Sequence, residues 1–133
     1  MRPALFFYAV RMGREKDNGK DKVARLGFFH HVTDYVVAAA FIFIGVRAQD
    51  PVWPLLIGIV ALVNAATTRG PLAAYRAIPH SVHMVIDVGV LVTAIVGAVA
   101  VRNNASDALG LVALAVLQGF NLYLTRVLKR SKA

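Results

Sequence analysis

The chain has 133 residues, of which 58% are hydrophobic and 17% are charged, and it carries a formal net charge of +8. A soluble domain needs more charged residues to cover its surface, so this composition excludes an ordinary soluble protein and indicates an integral membrane protein. The chain contains no cysteine, which excludes disulfides, thiolate metal sites and iron–sulfur clusters.

The first 27 residues are predicted to form a cytoplasmic and interfacial segment. Residues 4–12 are mostly apolar and aromatic and follow Pro3, which favours a short amphipathic helix lying in the membrane interface. Residues 13–22 combine two glycines with many charges and predict a turn. Only about seven apolar residues separate Arg2 from Arg11, so a cleaved signal peptide is not expected.

Four apolar segments follow and make up a predicted membrane domain over residues 28–128. They cover residues 28–46, 52–68, 82–101 and 108–124. Each approaches the ~20 apolar residues that a helix needs to cross a bilayer. The outer connections are short, which makes consecutive helices antiparallel neighbours. The sequence therefore predicts an all-α, up-down four-helix membrane bundle with a basic tail at residues 129–133.

Basic residues predict the orientation of this bundle. Thirteen of the 15 lysines and arginines fall in the N-terminal segment, the middle connection and the tail, while only Arg47 and Arg102 fall on the other side. Because cytoplasmic segments retain positive charge, both termini are expected in the cytoplasm of a multi-pass cell-membrane protein. The positive charge favours anionic lipid headgroups as partners. No compact basic domain is present, so nucleic acid is not an expected partner.

Two His–Asp pairs are the strongest functional feature of the sequence. His30 and Asp34 lie one helical turn apart, and His83 and Asp87 repeat this arrangement at an offset of 53 residues. Ionisable residues inside a membrane are costly and mark functional sites. A duplicated hairpin is a further hypothesis, since the residues around Gly58 recur around Gly110 at an offset of 52.

Other polar residues fall in the same cytoplasmic halves of the helices. The predicted polar pocket is lined by Asn64, Thr67, Thr68, Gln118, Asn121 and Thr125. The outer halves are almost free of polar residues, which disfavours a continuous ion pore. An inward-facing pocket, or a polar interface with a partner helix, fits this distribution better.

Several chemistries suit this cluster. The ligand candidates for a divalent transition metal or for haem b are His30, His31, Asp34, His80, His83 and Asp87. Alternatively, the pairs relay protons or hold a polar ligand. A purely structural reading is that the histidines and aspartates cap helix ends while the amides bond between helices. Arg69, after Thr67 and Thr68, is a candidate for a phosphate or lipid headgroup.

The expected function is that of a small accessory or scaffold membrane protein that associates with itself or with a larger membrane complex. Its His/Asp cluster is the candidate site for a metal or haem. The alternatives are a small oligomeric proton-coupled transporter that uses Asp34 and Asp87, and a membrane b-type electron carrier. Enzyme activity is not expected, because the sequence contains no recognisable catalytic triad or phosphate-binding loop.

Overall fold

The computed structural model describes residues 3–130, with side chains for residue 21 and residues 24–126. In chain order the helices are α1 Pro3–Arg47, α2 Val52–Thr67, α3 His80–Ala100 and α4 Ala105–Arg130. The spans Ala24–Arg47, His80–Ala100 and Ala105–Arg126 are long and apolar enough to cross a membrane, and α2 is apolar but shorter at 16 residues. The predicted all-helical architecture with four helices is confirmed. The three long apolar spans suggest a membrane protein.

Helix α1 is longer than predicted. It continues without interruption through residues 13–22, so the predicted turn there is wrong. A glycine inside a helix costs only about 1 kcal/mol, and the surrounding lysines, arginines and Glu15 are good helix formers with no proline among them. The side chains of residues 4–12 and of the tail 129–133 lie outside the described part of the structure. An interfacial position for the N-terminal segment therefore stays a prediction.

The helices form a ring in which each one packs against its neighbours in the sequence, and α4 also packs against α1. Consequently α1 and α3 lie diagonally opposite each other. Two short connections, 48–51 and 101–104, lie at one end of the bundle. There the Asp107 Oδ2 atom accepts hydrogen bonds from the Asp50 backbone N–H at 2.9 Å and from Asn104 Nδ2 at 3.0 Å. The longer connection, 68–79, lies at the opposite end.

The apolar core occupies the half of the bundle nearer the short connections. Phe41, Ile57 and Leu111 are its largest fully buried members. The exterior carries many exposed apolar side chains, including Phe43 and Val116. Such an exterior suits a lipid environment, because acyl chains do not penalise exposed apolar surface. The half of the bundle nearer the longer connection instead buries most of the polar residues that were predicted to cluster there.

Gly58 sets the distance between α1 and α2. A Cβ atom built there would lie 2.7 Å from Ile42 Cγ1 and 2.9 Å from the Ile42 backbone nitrogen. By contrast, a Cβ atom at Gly89 or Gly119 would meet no heavy atom within 4 Å. Close helix approach through small residues is typical of membrane bundles. Of these three glycines, only Gly58 forms such a packing seam.

We expect Gly58→Ala to destabilise the bundle by about 1–3 kcal/mol, because α1 must move away from α2 to admit a methyl group. Thermal unfolding in detergent measures this loss. Gly89→Ala is the matched control, and its better helix propensity should leave the protein unchanged or slightly more stable. Equal unfolding midpoints for the two variants would contradict the close approach at Gly58.

Candidate metal centre

The two His–Asp pairs meet at the centre of the bundle. His83 Nε2 lies 3.1 Å from Asp87 Oδ2 and 3.5 Å from Asp34 Oδ2, and His30 Nε2 lies 3.7 Å from Asp34 Oδ2. All four side chains are buried, with exposed fractions of 1–7%. One ligand atom from each residue lies within 4.8 Å of the other three. Two diagonal helices thus bring two imidazoles and two carboxylates together in the part of the structure described.

The other two helices surround this cluster with a repeated pair of polar residues. Asn64 Nδ2 donates to Asp87 Oδ1 at 2.9 Å, and Thr68 Oγ1 lies 2.9 Å from His83 Nδ1. On α4, Asn121 Nδ2 donates to Asp34 Oδ1. Thr125 Oγ1 lies 3.1 Å from His30 Nε2. Each His–Asp pair therefore has its own Asn–Thr pair, also one helical turn apart.

The same arrangement of polar pairs occurs in both hairpins. Residues of α1 correspond to those of α3 at an offset of 53, while the Asn–Thr pairs of α2 and α4 correspond at an offset of 57. Burial follows the same register, since Ile57 and Leu114 are both buried, as are Gly58 and Ala115. The predicted offset of 52, which aligned Gly58 with Gly110, is not the register of the site. The α3–α4 hairpin is longer than the α1–α2 hairpin by about one helical turn. An insertion of this length keeps the Asn–Thr pair on the helix face that points into the bundle.

Hydrogen bonding determines the tautomer of the neutral His83 ring. The Thr68 hydroxyl donates its hydrogen to the Asn64 carbonyl, so it accepts a hydrogen bond from His83 Nδ1. In the neutral ring the proton is therefore on Nδ1, and Nε2 presents a lone pair. That lone pair is directed towards the carboxylates of Asp34 and Asp87.

His30 has the same tautomer. Its Nδ1 atom lies 2.9 Å from Asn121 Oδ1, an oxygen that can only accept a hydrogen bond. The proton of the neutral ring is therefore on Nδ1, and Nε2 lies 3.1 Å from the Thr125 hydroxyl and 3.7 Å from Asp34 Oδ2. In metal sites the histidine ligands donate their second N–H in this way, which fixes the orientation of the ring.

Three atoms at the centre lack a hydrogen-bond partner. They are Asp34 Oδ2, His83 Nε2 and Asp87 Oδ2, and Asn64 Oδ1 beside the cluster also lacks a partner. Buried polar atoms without partners are rare and costly, so this convergence of acceptors requires a cation or added protons. A tetrahedral ion with bonds of ~2.0–2.2 Å holds its ligand atoms ~3.3–3.6 Å apart. Three of the six separations among the four ligand atoms, 3.1, 3.5 and 3.7 Å, lie near that range, and all six are within 4.8 Å.

Haem fits this packing poorly. The ring centroids of His30 and His83 are only 5.8 Å apart, in an edge-to-face arrangement. The Asp34 carboxylate lies within 3.7 Å of both Nε2 atoms and fills the space between them. A porphyrin between the two rings would have to displace that carboxylate. The space therefore suits a single ion better than a macrocycle.

The remaining predicted ligands lie outside the cluster. His31 Nε2 lies 2.9 Å from the Ala65 carbonyl oxygen of α2, and its ring packs against Gly70 in the 68–79 connection. His80 is exposed, and its ring stacks on His83 with a centroid distance of 5.7 Å. His80 therefore lies at the rim of the cluster, whereas His31 holds the connection against α1.

Some of the predicted pocket residues contact the cluster and others lie outside it. Asn64, Thr68, Asn121 and Thr125 contact the cluster directly, while Gln118 Nε2 donates to the Asp87 carbonyl at 3.4 Å. Thr67 bonds to the Val63 carbonyl of its own helix and does not reach the cluster. Arg69 is exposed on the 68–79 connection. The sequence analysis missed the Asn-x-x-x-Thr repeat, whose spacing equals that of His-x-x-x-Asp.

Comparison with protein-family models, with curated proteins and with solved structures finds no match for this chain.

Proposed function

We propose that this chain is a membrane protein that binds one divalent transition-metal ion, with Zn²⁺ the best fit, through His30, Asp34, His83 and Asp87. The convergence of unpartnered acceptor atoms at the centre of the bundle carries the proposal. Zn²⁺ accepts imidazole and carboxylate ligands in tetrahedral sites without a requirement for thiolates. By the distribution of basic residues, the ion would lie in the cytoplasmic half of the membrane.

The proposed role of the ion is structural. Four protein ligands fill a tetrahedral shell, whereas catalytic zinc sites keep one position open for water or substrate. The ligands come from α1 and α3, which are diagonal in the bundle and pack mainly against α2 and α4. An ion shared between them would clamp the two hairpins together. This supports an accessory or scaffold protein rather than an enzyme.

Proton binding is the second candidate function, because the same unpartnered atoms favour it. If both histidines also carried a proton on Nε2, their charges would balance those of Asp34 and Asp87. The cluster would then hold exchangeable protons, as a proton-coupled transporter requires. The buried apolar core beyond the cluster, which includes Val37, Phe41 and Val90, offers no polar route onward. We therefore rank metal binding first.

Metal titration distinguishes these two functions. The protein is purified in mild detergent without a histidine tag, stripped with a chelator, and titrated with Zn²⁺ in a calorimeter, with elemental analysis of the product. Metal binding predicts one Zn²⁺ per chain and release of protons as the ligands lose theirs. No heat above the detergent blank and no retained metal would refute the proposal and favour proton binding.

The two asparagines beside the cluster are expected to support metal binding. Asn64→Ala and Asn121→Ala each remove the donor that orients one aspartate ligand, and such losses weaken metal binding about 10–100-fold. We expect both Kd values for Zn²⁺ to increase in competition with a chelating dye, and the Kd of Asn121→Ala to increase more, because Asn121 also accepts the hydrogen bond from His30 Nδ1. Thr67→Ala is the control, because Thr67 lies outside the cluster. An unchanged Kd in both asparagine variants would contradict the assigned hydrogen bonds.

A further inference from the structure

We propose that the depression between Arg69 and Arg76, in the connection between α2 and α3, binds the phosphate group of an anionic phospholipid. The depression has a volume of about 580 Å³ and is lined by these two arginines together with Gly70 and Pro71. It is separate from the metal centre, so the inference is independent of the proposed function.

Both arginines are available to an anion. In the part of the chain whose side chains are described, every ion pair involves the histidines and aspartates of the central cluster, and neither arginine takes part in one. The Arg69 side chain donates from Nε to the Arg76 carbonyl at 3.4 Å. This contact leaves the terminal guanidinium nitrogens for other acceptors. Guanidinium groups match phosphate oxygens in charge and in hydrogen-bond geometry.

The connection holds the two arginines at a fixed spacing. Thr68 and Ile78 form a bridge, and the Arg69 backbone N–H donates to the Ile78 carbonyl at 3.0 Å. The Ala77 and Ile78 N–H groups both donate to the Thr67 carbonyl at 2.9 Å. These bonds hold the two ends of the connection together. A pre-organised pair of arginines loses less conformational entropy on binding an anion than two independent surface side chains.

The position of the depression favours a lipid over a free anion. It adjoins the C-terminal end of the apolar helix α2. In the same connection, the side chains of Tyr75 and Leu72 are 72% and 39% exposed, respectively. Aromatic residues with a polar tip are typical of the headgroup level of a bilayer. A phosphate held by the arginines would thus leave the acyl chains beside the apolar helices.

Lipid titration with native mass spectrometry tests the inference on the detergent-purified protein. The probes are phosphatidylglycerol, phosphatidylcholine and inorganic phosphate. We expect wild-type protein to bind phosphatidylglycerol at least about 10-fold more tightly than phosphatidylcholine, and Arg69→Gln/Arg76→Gln to reduce this preference to about 2-fold or less. Arg76→Gln alone should reduce the preference only in part, because the backbone carbonyl of residue 76 remains and still accepts the hydrogen bond from Arg69.

The matched control is Arg47→Gln/Arg102→Gln, which removes the same charge from the opposite end of the bundle. We expect this variant to keep the preference for phosphatidylglycerol. An equal loss of preference in the control would show that net charge alone determines lipid binding, and it would overturn the proposed site. An unchanged preference in Arg69→Gln/Arg76→Gln would overturn it as well. Displacement of phosphatidylglycerol by millimolar inorganic phosphate would identify a free-anion site and overturn the lipid assignment.

Discussion

His83→Ala is expected to abolish Zn²⁺ binding. The His83 ring is the most central ligand, since its Nε2 atom lies 3.5 Å or less from both carboxylates. Its removal leaves one imidazole and two carboxylates and opens a space at the middle of the cluster. Loss of a partner that only orients a ligand weakens metal binding about 10–100-fold, so loss of this ligand should weaken it by more than about 100-fold.

The measurement is a chelator-competition titration of the purified variants. His80→Ala is the matched control, because His80 stacks on His83 but lies at the exposed rim of the cluster. We expect this variant to retain one Zn²⁺ per chain with a Kd within about threefold of wild type. Full Zn²⁺ binding by His83→Ala, or its loss in His80→Ala alone, would show that the ligands are assigned incorrectly.

Removal of the metal is expected to lower the thermal stability of the bundle. A ligand that binds only the folded state adds about 2.7 kcal/mol at a free concentration about 100 times its Kd. For a chain of 133 residues this corresponds to a change in Tm on the order of 10 °C. The buried acceptor atoms without partners in the apo protein are part of the driving force for this binding.

Differential scanning calorimetry with and without chelator measures this change. The metal-dependent increment in Tm should decrease as the pH falls, because protons compete with the ion for imidazole and carboxylate ligands. His83→Ala should show no increment at any pH. An increment of the same size in His83→Ala would place the stabilising ion elsewhere in the protein.

The sequence allowed the helices and the residues of the His/Asp cluster to be predicted for a physical reason. Apolar segments of membrane length can satisfy their backbone groups only as helices, so the number of helices follows from hydropathy. The spacing of His30 to Asp34, and of His83 to Asp87, places each pair on one helix face. These local rules do not show that α1 and α3 face each other across the bundle. That arrangement depends on packing, including the close approach of α1 and α2 at Gly58.

Local rules also failed at particular residues. His30 and His31 appeared equivalent as ligands, but adjacent residues point about 100° apart around a helix, so only one of them can face the centre. The structure assigns that position to His30, because the ring of His31 packs beside Gly70. The hypothetical offset of 52 between α2 and α4 does not align the Asn–Thr pairs, because it rests on apolar residues that are frequent in all membrane helices. The repeated Asn–Thr spacing is the better signal.

X-ray absorption spectroscopy of the Zn²⁺-loaded protein is the decisive test of the metal centre, because it reports the atoms bound to the metal. We expect a four-coordinate shell of nitrogen and oxygen at ~2.0–2.2 Å, with the outer-shell scattering of two imidazoles. The His83→Ala variant should retain no Zn²⁺ and should therefore give no such spectrum. A six-coordinate shell without imidazole scattering, or the absence of bound metal, would contradict a metal centre at the His/Asp cluster.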